Sequence, residues 1–94
     1  ELAISEGRLE DAITSYQRYL ELVPDDAKTW ATLARWQIWQ GEEQDALKSA
    51  EKAVELAEDV PFANAVYAWA LDWNNRIDDA IAAAVHAMDL NPNL

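Results

Sequence analysis

Three stretches of this chain repeat one another at an interval of 34 residues. When Gly7, Gly41 and Asn75 are aligned, the residues that follow them fall into matching columns. The columns contain Ala12, Ala46 and Ala80; Ile13, Leu47 and Ile81; Leu20, Val54 and Met88; and Leu22, Leu56 and Leu90. A period of this length with a turn residue inside each unit is typical of stacked repeats, in which each unit is one helix–turn–helix. The period therefore favours a row of helical hairpins.

Apolar residues inside each unit recur at helical spacing, and the residues between them are turn and cap residues. The pattern predicts helices at residues 9–22, 27–40, 43–57, 61–74 and 77–91. Leu2, Ala3 and Ile4 are predicted to end an earlier helix, which Gly7 terminates. Gly41 suits the left-handed conformation that stops a helix, and Asp26 suits the N-cap position.

The helix predicted at residues 43–57 has a stripe of small side chains, including Ala46, Ala50 and Ala53. Small side chains let a neighbouring helix approach to an axial distance of about 8–10 Å. We expect Trp36 to fill the space beside Ala50. The helix predicted at residues 61–74 has almost no polar face, so we expect neighbours to cover most of it.

Particular residues match a known repeat motif. Trp30, Leu33 and Ala34 match its first helix, which carries a tryptophan, then a leucine, then a small residue. The other matching residues are Gly41 at the turn, Ala46 and Ala53 in the second helix, and Pro24 and Pro92 after it. On these residues the chain resembles the tetratricopeptide repeat family, and the resemblance covers essentially its whole length.

Four positions depart from the motif. Asn64 stands where Trp30 stands one unit earlier, Ala50 and Ala84 replace the aromatic residue seen at Tyr16, and Glu58 replaces the proline. The resemblance nevertheless implies an all-α fold of stacked antiparallel helical hairpins, wound into a right-handed superhelical α-solenoid. We expect one domain over residues 1–94, with a partial repeat at 1–26 and full repeats at 27–60 and 61–94. The sequence begins at Glu1 within a unit, so we interpret it as a fragment of a longer chain.

The charge balance of the chain is strongly acidic. Its 18 acidic and 7 basic residues give a formal charge of −11, which disfavours nucleic acid and anionic membranes as partners. The chain has no cysteine, so it forms neither a disulfide nor a thiolate metal site. No apolar run approaches the roughly 18 residues that a membrane span needs. Nothing in the sequence indicates a compartment.

The sequence contains no set of residues typical of catalysis. Its single histidine, His86, lies in a predicted helix, and we expect it to be isolated on the outer face with at most a weak pairing to Asp89. The acidic clusters are Asp25–Asp26, Glu42–Glu43 with Asp45, Glu58–Asp59 and Asp78–Asp79. Helix capping and the helix dipole account for them, and they lack the spacing of a calcium loop. We expect no catalytic residue, no cofactor and no metal.

The family resemblance implies a binding surface, because the first helix of each unit lines a concave groove in that family. Repeat phase places nine residues in this partner-binding groove: Lys28, Arg35, Ile38, Trp39, Phe62, Val66, Trp69, Asp72 and Trp73. Trp39 and Trp73 are one period apart, so we expect them at the same level of adjacent helices, with Trp69 one turn earlier. Three tryptophans here depart from the polar residues that the family usually has.

Two explanations of these tryptophans remain open. The indoles could pack between repeats or against flanking repeats, as we expect for Trp30. Alternatively, Trp39, Trp69 and Trp73 form an aromatic strip beside Arg35, since tryptophan and arginine are enriched in binding hot spots.

The groove does not match the family's clamp for a C-terminal carboxylate. Ala31, Thr32 and Arg35 stand where that clamp has its lysine, arginine and asparagine. An apolar or amphipathic peptide with some basic residues suits the groove better.

The sequence thus predicts a protein–protein interaction or scaffold module that binds a partner peptide or helix. One alternative is self-association through open apolar ends, which would make the chain a homo-oligomer. Another is a non-catalytic part of a larger enzyme or assembly factor.

Overall fold

The computed structural model describes residues 6–91, with side chains from residue 8 onward, and this part of the chain is built from helices. They are α1 (Glu6–Leu22), α2 (Ala27–Gln40), α3 (Glu43–Leu56), α4 (Pro61–Trp73) and α5 (Ile77–Leu90). The predicted all-α class is confirmed, and four of the five helices begin at the predicted residue. The calls on Leu2, Ala3, Ile4 and Pro92 lie outside the described residues.

The prediction that Gly7 ends a helix is wrong. The first helix α1 already begins at Glu6, so Gly7 lies in its first turn. Glycine disfavours a helix by only about 1 kcal/mol relative to alanine, so it weakens a helix without necessarily ending it.

The two hairpin turns have the same geometry, one period apart. Gly41 has φ 86° and Asn75 has φ 61°, so both adopt the left-handed conformation. The Gly41 amide donates to the Ile38 carbonyl at 3.0 Å, as the Asn75 amide donates to Asp72 at 3.0 Å. The next amide donates to the carbonyl five residues earlier at 2.9 Å in each turn. This pair of hydrogen bonds is typical of helices that end at a left-handed residue. The hairpins α2–α3 and α4–α5 therefore share the same turn geometry.

The start of α2 is capped as predicted by Asp26. Its carboxylate accepts hydrogen bonds from the Thr29 amide at 3.2 Å and from the Tyr19 hydroxyl at 2.8 Å. The Tyr19 hydrogen bond first, and the Thr29 bond second, lower the pKa of the Asp26 carboxyl. The same Tyr19–Asp26 hydrogen bond is the main cause that raises the pKa of the Tyr19 hydroxyl. Asp26 thereby ties the end of α1 to the start of α2.

Small side chains form the core where α2, α3 and α4 meet. The buried cluster contains Ala31, Ala34, Ile38, Ala46, Ala50, Ala53, Ala63, Val66 and Ala70. Trp36 does not fill the space beside Ala50, contrary to our expectation. It packs instead with Tyr16 of α1 and with a separate cluster around Leu33. Ala63, Val66 and Ala70 of α4 share the buried cluster of Ala50 instead.

Asn64 donates a hydrogen bond equivalent to that of Trp30, which stands one repeat earlier. The indole Nε1 of Trp30 donates to the Pro24 carbonyl at 2.8 Å, and the Asn64 amide Nδ2 donates to the Glu58 carbonyl at 2.8 Å. Each bond spans six residues and joins the first helix of a unit to the loop before it. His86 of α5 is exposed as expected, but it is not isolated, because its Nε2 lies 3.1 Å from the same Glu58 carbonyl.

The left-handed conformation of Gly41 predicts that replacing this residue lowers the stability of the chain. No atom outside its immediate neighbours lies within 4 Å of a Cβ built on this residue, so Gly41→Ala introduces backbone strain without a clash. The left-handed conformation costs an L-residue roughly 1–2 kcal/mol. We expect Gly41→Ala to lower the free energy of unfolding by about this amount in urea titrations followed by circular dichroism.

The matched control is Asn75→Gly at the equivalent turn. Glycine adopts the left-handed conformation readily, so this variant should be at least as stable as the parent. A Gly41→Ala protein as stable as the parent would contradict the assigned turn.

Candidate partner-binding surface

Three tryptophans of α2 and α4 are exposed to solvent. Trp39 is 52% exposed, Trp73 is 47% exposed and Trp69 is 36% exposed. Ile38 and Val66, which we also predicted in the groove, are only 3% exposed and belong to the core beneath. They face the helix contact because α2 and α4 pack against each other there. The solvent-exposed part of the predicted groove therefore consists of the tryptophans and their polar neighbours.

Arg35 lies between two aromatic rings. Its guanidinium carbon is 5.5 Å from the centroid of the Trp39 ring and 5.5 Å from that of Phe62. Its Nε is buried and has no hydrogen-bond partner within residues 8–91. The ring faces therefore position this guanidinium by cation–π attraction. Arg35 links α2 to α4 and, with Trp39, Phe62, Trp69 and Trp73, forms what we call the aromatic surface.

A chain of aromatic contacts runs from α1 to α4. Tyr16 lies 6.3 Å from Trp36, Trp36 lies 5.3 Å from Trp39, and Trp39 lies 6.5 Å from Trp69, measured between ring centroids. The last two contacts are edge-to-face, a favourable geometry for aromatic pairs. Trp39 thus meets Trp69, although Trp73 is its equivalent in the repeat. Arg35 likewise meets Phe62, whereas its equivalent in the repeat is Trp69.

Among residues 8–91, the charged residues predicted in the groove make no ion pair. Lys28 and Asp72 are solvent-accessible, and Arg35 is half-buried. Within residues 8–91 the salt bridge that the structure contains is Arg76–Asp79, at 2.9 Å. Lys28, Arg35 and Asp72 are therefore available to charged groups of a partner.

Sequence reasoning missed a cleft of about 470 Å³ between α1, α2 and α3. Its lining residues are Gln17, Leu20, Glu21, Trp30, Leu33, Gln37, Asp45, Lys48, Ser49 and Lys52. Gln37 and Ser49 are buried there, and the Ser49 hydroxyl donates to the Gln37 side-chain oxygen at 2.7 Å. The cleft contains none of the nine predicted groove residues.

Within the described residues no group of three or more His, Asp or Glu side chains is arranged to hold a metal ion. None of helices α1 to α5 is long and apolar enough to cross a membrane.

The comparison with protein families decides the classification. A model of the tetratricopeptide repeat matches residues 3–61, more than half of the 94 residues. The chain belongs to the tetratricopeptide repeat family. Such repeats generally mediate protein–protein interaction and are typically non-catalytic scaffolds. No curated protein matches the chain significantly.

The exposure of the aromatic surface predicts the fluorescence of this tetratricopeptide repeat chain. Trp39, Trp69 and Trp73 should give red-shifted emission that acrylamide quenches readily, whereas the half-buried Trp30 and Trp36 should be protected. Acrylamide is preferable to iodide because an acidic protein repels anions. Replacing the three exposed tryptophans by phenylalanine should shift the emission to the blue and reduce the quenching constant. Unchanged quenching after that replacement would contradict the exposure.

Proposed function

We propose that this chain is a protein-binding module that holds a peptide or helix of a partner on its aromatic surface. The observation that carries the proposal is the exposure of Trp39, Trp69 and Trp73 beside an arginine fixed between two rings. Tryptophan and arginine dominate the energetic centres of protein interfaces. These residues lie on α2 and α4, the helices to which the family resemblance assigns the concave groove.

Rigidity supports this proposal. Ile38 and Val66 lie buried under the aromatic surface, and edge-to-face contacts join Trp36, Trp39 and Trp69. A surface that is ordered before binding loses less conformational entropy when a partner arrives. The exposed indoles therefore suit a preformed site.

The partner that fits this surface is an apolar or amphipathic peptide with some basic residues. Large side chains can cover the indoles, and basic groups can reach Asp72, which makes no ion pair among the described residues. The net charge of −11 disfavours a nucleic acid. We propose no catalytic role and no cofactor for this module.

The test is a selection of peptides from a random phage-displayed library against the immobilised chain. Affinities of the selected peptides are then measured by fluorescence anisotropy for the parent, Trp39→Ala and Trp73→Ala. Loss of a buried hot-spot residue typically costs at least about 2 kcal/mol, or roughly thirtyfold in affinity. We expect losses of this size with unchanged helicity.

Leu22→Ala is the matched control, because Leu22 is the most exposed of the large apolar side chains described and lies on α1 outside this surface. It should leave the affinities unchanged. Peptides that bind the two tryptophan variants as tightly as the parent would refute the assignment.

Self-association is a second candidate, favoured by the outer face of α5. Ile77, Ile81, Val85 and Met88 of that helix are each about half exposed. An apolar stripe of this kind can associate with another copy, which would make the chain a homo-oligomer. Membership of a larger scaffold or assembly protein is compatible with either candidate.

A further inference from the structure

The cleft between α1, α2 and α3 is formed by one face of each helix. On every one of the three helices, the residues that line the cleft recur at helical spacing. Helix α2 packs against both α1 and α3, whereas α1 and α3 make no contact with each other in the described part of the chain. The outer helices therefore form two walls and α2 forms the floor. The volume of about 470 Å³ lies in the range that ligand sites usually have.

A buried polar pair lies at the floor of the cleft. Gln37 is 3% exposed and Ser49 is 4% exposed, and the Ser49 hydroxyl donates to the Gln37 Oε1 at 2.7 Å. The Gln37 Nε2 donates to no acceptor within residues 8–91. A buried amide group normally has a hydrogen-bond partner, because leaving it without one is costly. Since Gln37 lines the cleft, its unused N–H groups are available to an acceptor on a ligand.

The equivalent pair one period later is apolar. Leu71 stands at the position of Gln37 and Ala83 at the position of Ser49, and both are buried. The repeated hairpin therefore folds without a polar pair at these positions. Replacing a buried hydrogen-bonded pair by apolar groups of similar shape is often neutral or stabilising. Contact with a ligand thus explains the polar pair better than packing does.

Two lysines line the α3 wall of the cleft. Lys48 and Lys52 are one helical turn apart, and they are two of the three lysines of an acidic chain. Neither forms an ion pair within residues 8–91. Their equivalents one period later are Ala82 and His86, so this pair of lysines is not a requirement of the repeat. Two neighbouring ammonium groups attract a carboxylate.

We propose that this cleft binds a short peptide segment of a partner protein, in which one acidic residue lies next to apolar residues. The carboxylate of the segment pairs with Lys48 and Lys52. An apolar side chain packs on the half-buried ring of Trp30, and a backbone carbonyl accepts a hydrogen bond from the Gln37 Nε2.

The other lining residues narrow the choice of ligand. Glu21 and Asp45 also line the cleft and are exposed, so they repel a segment with several acidic residues. A free carboxylic acid suits the cleft less well than a peptide does, because it lacks the backbone carbonyls that would satisfy Gln37. One acidic residue within an apolar peptide meets both conditions.

The cleft is separate from the aromatic surface, so this proposal does not rest on the proposed function. Gln37 is two positions from Arg35 and two positions from Trp39 on α2. Residues two apart lie on nearly opposite faces of a helix. Substitutions can therefore distinguish the two sites.

The probe is the tripeptide Leu-Asp-Leu, acetylated and amidated at its ends, with Leu-Asn-Leu as the matched neutral peptide. Each is titrated into the isotope-labelled chain, and two-dimensional NMR follows the side-chain N–H signals of Gln37 and Trp30. We expect saturable shifts of both signals. The aspartate peptide should bind about three- to fivefold more tightly than the asparagine peptide, as expected of ion pairs near a surface.

Lysine variants test the source of this preference. Lys48→Ala and Lys52→Ala should each reduce the preference for aspartate, and the double variant should abolish it. Lys28→Ala is the matched control, because it removes the same charge from an exposed position outside the cleft. It should retain the preference. A preference for aspartate that survives the double variant would overturn the role of the lysines.

The polar floor is tested by the double variant Gln37→Leu with Ser49→Ala, which introduces the residues of the next repeat. It should weaken both peptides by about fivefold, while the free energy of unfolding in urea stays the same or rises. The Trp30 signal reports binding to this variant. Unchanged affinities would overturn the role of Gln37, and a purely structural pair would instead lose stability.

Other outcomes identify other sites or ligands. Shifts confined to the indole signals of Trp39, Trp69 and Trp73 would place the peptides on the aromatic surface, which refutes the cleft and leaves the proposed function intact. Phenylacetate that binds as tightly as the aspartate peptide would identify a free carboxylic acid as the ligand and overturn the choice of a peptide. No saturable shift with either peptide at millimolar concentration would overturn the proposal.

Discussion

Close contact between alanine-rich helix faces sets the geometry on which the rest of this structure depends. Ala31, Ala34 and Ala50 are completely buried where α2 and α3 receive α4. Side chains of this size let helix axes approach closely. Trp39, Trp69 and Trp73 lie outside this buried cluster and meet solvent.

The aromatic surface lies outside this buried packing. Along the exposed sides of α2 and α4, large aromatic residues and Arg35 contact one another across the two helices. Beyond α5, the pattern of small and apolar residues continues at Ile81, Ala84 and Met88 without a covering helix among the described residues.

Much of the fold could be predicted from the period, because the 34-residue interval fixes which residues turn, cap and pack. The bounds of α2 were predicted in full, and those of α3, α4 and α5 to within one residue at their C-termini. The site was less predictable. Repeat phase gives the level of a residue on its own helix but not the side chain that it meets on the neighbouring helix. It therefore pairs Trp39 with Trp73, whereas Trp39 contacts Trp69. Nor does it reveal that a loop carbonyl at Glu58 meets both Asn64 and His86.

Close packing of small residues holds the hairpins together. The most direct test of this claim enlarges the side chain at the same repeat position in two different units. Ala50 is buried under α4, whereas Ala84, one period later, is partly exposed. In urea titrations Ala50→Leu should lower the free energy of unfolding by about 1–3 kcal/mol because of overpacking. Ala84→Leu should change it by less than about 0.5 kcal/mol. Equal losses in both variants, or a stable Ala50→Leu protein, would contradict the account.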